Sequence, residues 1–191
     1  MLSNEKGGII WGVNESNQNK HMTGSPPPDW QGWLELLEVA QADAQCEQLF
    51  HKTFGQQPPR WGRHIVVRYT DSLGDIRLLS YLHFWQRDRA GYIGGGCTDG
   101  DVVRAMAPKK RLQFSKSGGA LFHTLRFAFT HFHTDIDAFF GLAENPRARE
   151  VDLAAGFEDA GVGNLLIRET RPLQESQRQA LIKQALAVGN F

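Results

Sequence analysis

The stretch Asn145-Pro146-Arg147-Ala148-Arg149-Glu150-Val151-Asp152-Leu153-Ala154-Ala155-Gly156-Phe157 decides how the rest of the chain is read. Proline suits the first turn of a helix, where its missing N–H is not needed, and glycine just past the last turn stops one. The run therefore predicts a short helix from Pro146 to Ala155. Working outward, the apolar run from Ala138 to Leu142 predicts a strand before it, and Asn164 to Thr170 a strand after it. Leu173 to Val188 reads as a terminal helix with Gly189 just past its end. Upstream, Leu121, Phe122, Leu125, Ala128, Phe129 and Phe132 share one side of a helical wheel, with His123, Arg126 and Thr130 opposite. That amphipathic helix is entered through Ser117-Gly118-Gly119.

The N-terminal half reads differently. Gly7 to Val13 is a candidate short strand, and Ser25-Pro26-Pro27-Pro28 is a stiff linker, so residues 1–28 form an extension and residues 29–191 the domain. Asp29 is a good N-cap for a helix carrying Trp30, Trp33, Leu34, Leu37, Ala40 and Ala44. Asp43 caps a second helical piece with Leu49 and Phe50, ended by Gly55 and Pro58-Pro59. Three strands follow, His64 to Thr70, Ile76 to Arg87 and Gly91 to Thr98, joined by the turns Asp71–Asp75 and Arg87–Arg89. Short polar turns predict an antiparallel meander. The order ααβββ, then αβαβ, then α predicts a mixed α/β domain rather than a doubly wound one.

Composition bounds the function. A chain of 191 residues fits one domain with a modest extension, and 41% hydrophobic with 22% charged residues excludes a disordered chain. Lys+Arg and Asp+Glu are both 21, a balance that disfavours nucleic acid as an obligatory partner. No apolar run approaches the roughly 20 residues that span a bilayer, and no leader opens the chain, so no membrane is expected. Cys46 and Cys97 lie far apart without a CxxC, and read as free thiols of a reducing cytoplasm.

Two glycine clusters carry chemical information. Gly94-Gly95-Gly96 stands late in a strand, where glycine implies a bulge or a ligand close to the backbone. About twenty residues on, Ser115-Lys116-Ser117-Gly118-Gly119-Ala120 opens a helix, and such an entry offers free N–H groups and a positive dipole end to a phosphate. An ordinary turn and helix start is the plainer reading of either cluster alone.

Taken with Asn145-x-x-Ala148 and Gly156-Phe157, these clusters resemble the GCN5-related N-acetyltransferases, the GNAT superfamily. The family's late signature is Asn-x-x-Ala-x-x-x-Tyr-x-x-x-Gly-Phe, and its loop is Gln/Arg-x-x-Gly-x-Gly/Ala. Ser115-x-x-Gly118-x-Ala120 matches the loop except at its first position. The predicted element order agrees from Asp29 to Thr170, with a terminal helix added. The resemblance implies a GNAT-like α/β fold: a mixed, mostly antiparallel sheet flanked by helices and splayed at the cofactor site. It implies acetyl-CoA or another acyl-CoA as co-substrate and an amine acceptor, with acyl transfer by direct attack on the thioester. Gly96, Cys97 and Thr98 would then hold the pantetheine arm as an added strand would, together with Gly94 and Gly95. Lys116, Ser117, Gly118, Gly119 and Ala120 would cradle the pyrophosphate, with Arg111 adding charge, and Asn145 completes the cofactor set.

The departures bear on catalysis. The Tyr that typically protonates the departing thiolate is Asp152 here, and the basic insertion Pro108-Lys109-Lys110-Arg111 separates the glycine strand from the loop. No Glu on the third strand offers an obvious base. Asp99, His83 and Asp152 are the candidate catalytic residues, each with a plainer reading: a turn, a packed imidazole and a solvated helix-face carboxylate. An Asp ionised near pH 7 makes a poor proton donor, so Asp152→Asn is expected to change turnover less than about tenfold. A second reading is a GNAT-like module without chemistry that binds acyl-CoA or another protein. His131-x-His133 with Asp135 is an outlying metal set, and no metal is expected; a homodimer is compatible with the chain.

Overall fold

The computed structural model describes residues 30–189 and Phe191; the proposed extension, its short strand and the Asp29 cap lie outside the described residues. A turn closed by the Trp33 N–H donating to the Trp30 carbonyl leads into β1 (Leu34–Val39). The helix expected here is a strand. Leu34 and Leu36 pack on one face of the sheet and Leu37 on the other. Burial on both faces places apolar residues side by side, and that spacing imitates a helical repeat.

Helix α1 (Ala44–Phe54) follows, with the Asp43 carboxylate accepting from the Cys46 N–H and Gly55 closing the helix in the left-handed region. The meander is as expected: β2 (Arg63–Thr70), β3 (Ile76–Arg87) and β4 (Ala90–Thr98) pair antiparallel. Residues 100–116 hold two helices the sequence reading lacks, α2 (Gly100–Ala105) and α3 (Pro108–Lys116). Asp99 caps α2 and Pro108 opens α3, so the basic Lys109-Lys110-Arg111 run is the start of a helix rather than a turn.

Helix α4 (Gly119–His131), β5 (Ala138–Leu142) and α5 (Pro146–Ala155) follow as read. Then come the two-residue β6 (Glu158–Asp159), unforeseen, β7 (Leu165–Glu169) and α6 (Glu175–Val188). The strand order is β1-β2-β3-β4-β5-β7-β6, and every pairing is antiparallel except β4 with β5. Phe127, Phe129 and Leu125 of α4 join Ile65, Leu82, Phe84 and Phe139 in the core on one face. On the other face, Leu49 and Phe50 of α1 pack on Val66 and Tyr81, and Ile182 and Ala185 of α6 on Tyr92 and Phe140. Among the described residues no helix is long and apolar enough to cross a membrane.

Candidate functional site

The one parallel pair is short. β4 and β5 are in register only at Ala90↔Ala138, Gly91↔Phe139 and Tyr92↔Phe140. From Ile93 onward β4 runs on with no strand along that edge among the described residues, so its outward backbone groups face an opening. The glycines shape this edge. His83 on β3 stands opposite both Gly94 and Gly95, because the register jumps from Leu82↔Gly96 to Phe84↔Ile93. Gly95 adopts φ +127°, which makes room for the extra residue of the bulge. A Cβ on Gly94 would lie 2.3 Å from His83 Nδ1, so a side chain there would expel the imidazole.

The opening is a cavity of about 460 Å³ that reaches from Gly94–Gly96 to Asn145, Ala148 and Asp152. Asn145 accepts from the Ala148 N–H at 2.9 Å and so fixes the start of α5, which carries Asp152 two turns on. The sequence reading of Asp152 as a solvated carboxylate is corrected. It is half-buried in the cavity, and its carboxylate has no hydrogen-bond or ion-pair partner among the described residues. Burial pushes its pKa up to about 6.

A second cavity, lined by Ser115, Gly118 and Gly119, lies at the start of α4 and includes Arg111 and Arg147. Gly118 is the N-cap and offers no side-chain cap, so the first-turn amides keep their donors. Lys116, an expected cation of this site, stands outside that lining; Arg147, which the sequence reading passed over, is in it. Two further residues support the loop. The Trp30 indole N–H donates to Ser117 Oγ at 3.1 Å, and His123 Nε2 donates to the Ser117 carbonyl at 2.8 Å. Trp30 and His123 stack edge to face at 4.4 Å. Only the buried character of Trp30 was legible in the sequence, since the contact spans 87 residues.

The remaining candidates are placed elsewhere. Asp99 caps α2 and faces Lys52, which also pairs with Asp101 at 2.6 Å, in a cavity apart from the opening. Cys97 packs among Leu49 and Tyr81, with burial raising its thiol to about 11, and the Thr98 hydroxyl lies 3.3 Å from that of Ser80. Neither residue is in the lining of the opening. His83 is buried, with Nε2 2.8 Å from the Trp61 carbonyl. A carbonyl only accepts, so Nε2 carries the proton and Nδ1 keeps a bare lone pair against Gly94. His131 and His133 each spend Nδ1 on a helix carbonyl, and no metal-holding cluster occurs among the described residues.

No family model matches the sequence, and no curated protein matches it. Among solved structures the chain is similar to AtaTR bound with AcCoA (13% identity, 78% of this chain and 98% of that one, TM-score 0.44). It is also similar to the E. coli protein YhhK, a putative N-acetyl transferase bound to coenzyme A (12% identity, 71% and 98%, TM-score 0.40). A third is the KacTA–DNA complex (18% identity, 78% and 99%, TM-score 0.40). The topology described above, a mostly antiparallel sheet opened at one parallel pair with a glycine-entered helix beside it, is the arrangement that the resemblance in the sequence implies. The fold is GNAT-like. The expectation drawn from charge balance is corrected: the exclusion of nucleic acid is withdrawn, because the KacTA complex to which the chain is similar holds DNA. Net charge averages over the whole surface, and a neutral total leaves local basic runs such as Lys109–Arg111 untouched.

Proposed function

We propose that the chain is an acyl-CoA-dependent N-acyltransferase that binds acetyl-CoA or another acyl-CoA between β4 and β5. The observation that carries this reading is a conjunction at one place. The sheet opens after Tyr92↔Phe140, and beside the opening α4 begins with uncapped amides flanked by Arg111 and Arg147. The residues suit the molecule. The free edge of β4 offers alternating N–H and C=O groups to an amide-bearing arm, in the manner of an added strand. The first turn of α4 and two guanidinium groups suit a pyrophosphate, which accepts both dipolar and charged donors.

When bound, acyl-CoA supplies a thioester carbonyl that an amine can attack. Asp152 then serves as proton acceptor. An acceptor arriving as an ammonium must shed a proton before its lone pair forms the new N–C bond, and a carboxylate with pKa about 6 is mostly ionised at pH 7. As the amide forms, nitrogen sheds a second proton; one of the two ends on the departing sulfur and one leaves to water. Asp152, facing the same cavity as the free edge of β4, is suited to handle either transfer.

Release of free thiol from acetyl-CoA, followed across a panel of primary amines, tests the reading. Amine-dependent release is expected. Firm acetyl-CoA binding with no transfer to any amine would replace the enzyme by a non-catalytic binder of the same fold.

A further inference from the structure

A third cavity, of about 650 Å³, adjoins the opening on its far side from α4, sharing Phe50, Gln56, Gly94 and Phe191 with it. Its walls are aromatic: Trp61 meets Trp85 at 5.2 Å and His83 at 5.5 Å, edge to face in both cases. Trp61 is 57% exposed, so much of its ring is open to a ligand seated in the cavity. It is nonetheless held in place. His83 donates Nε2–H to the Trp61 carbonyl, and Gly62, at φ +91°, turns the chain where a Cβ would strike His83 Nε2 and the Phe84 carbonyl at 2.7 Å. Among the described residues no lysine or arginine lines this cavity or the opening, whereas the acidic side chains Asp152 and Glu144 line the opening. The cations sit at the opposite end, beside α4.

We infer that this cavity is the acceptor subsite, and that it takes a primary ammonium carried on an aromatic or extended apolar group, not an anionic acceptor. The inference rests on the N-acyltransferase reading for the word acceptor, but the preference for an apolar cation stands on the aromatic walls of this cavity and the two acidic side chains of the adjoining opening. The apolar body lies against the indoles of Trp61 and Trp85, where its burial and ring contact supply the attraction. The ammonium points past Gly94 toward Asp152. His83 is a positioning residue here: it anchors the loop that presents Trp61.

The test is a ligand-observed NMR titration of the full chain, without acyl-CoA, using phenethylamine and its anionic counterpart 3-phenylpropanoate. Phenethylamine is expected to bind saturably with a dissociation constant of about 1 mM or tighter. The carboxylate is expected not to bind. Trp61→Ala should weaken phenethylamine at least about fivefold, with Trp61→Phe recovering part of the loss. Equal binding of the two ions, no saturable binding of phenethylamine, or an unchanged affinity in Trp61→Ala would each overturn the inference. Acetyl-CoA titrated separately distinguishes the two failures: its loss with amine binding intact overturns the acyltransferase reading alone.

Discussion

Asp152 shows how one side chain changes meaning with its surroundings. In the sequence it is an acid of ordinary strength at a position where related folds place Tyr, and substitution to Asn looks mild. In the structure it faces the opening half-buried and unpaired, with its pKa raised to about 6 by burial. A carboxylate so placed is a base near neutrality. We therefore expect kcat/KM to rise with pH through about 6 and then level, since only the ionised form accepts a proton. Asp152→Asn should remove that rise and lower turnover by about 10²-fold, with acetyl-CoA affinity unchanged. A pH profile of the variant that keeps the rise would assign it to another group. The glycines were legible as a feature but not in their cause: nothing local shows that Gly94 makes room for His83, eleven residues back on the neighbouring strand.

Elements were legible where one local rule governed them. Pro146 and Gly156 bound α5, and the structure agrees because proline and stop both act within the helix itself; the structure adds Asn145 as its cap. Asn145→Ala removes the acceptor of the Ala148 N–H and should destabilise the fold by about 1 kcal/mol, read as a shift in the denaturation midpoint. β1 was illegible for the opposite reason: Leu36 and Leu37 belong to different layers, and only the finished sheet separates them. The short helices α2 and α3 had local signals in Asp99 and Pro108, masked because Asp-Gly and a basic run also describe turns. Of the candidate site, the glycine loop was noticeable from its composition, and Asn145 was proposed only through the family resemblance. Arg147, Trp30 and His123 were not legible, because their contacts to the site come from packing between distant segments.

Across the whole molecule, histidines held low by burial and the half-buried Asp152 act oppositely on stability as pH falls. Burial holds His64 down to about 4, with neighbouring His83 adding to the effect. The unfolded chain therefore takes up that proton first, and stability is lost as pH drops from 6.5 toward 4, by roughly 3 kcal/mol in all. His83 and His123, also held low by burial, add to the loss. Asp152 runs the other way: its raised pKa makes the folded state take up the proton first, so stability is gained as pH falls through about 6. Chemical denaturation at several pH values should thus show a steeper acid loss in Asp152→Asn than in the parent. Equal slopes would mean that the Asp152 carboxyl is not held above its ordinary range.

The catalytic predictions presuppose that the opening between β4 and β5 and the start of α4 form one binding site for acyl-CoA. Calorimetric titration of acetyl-CoA into the parent and into Gly119→Asp tests this most directly. A Cβ at Gly119 meets only the Phe114 ring, at 3.8 Å, so the variant has room to fold, at a strain of about 1 kcal/mol for its positive φ. Its carboxylate would then stand where the pyrophosphate is expected. The account predicts saturable binding to the parent and none to the variant, with circular dichroism unchanged; equal binding to both proteins would contradict it.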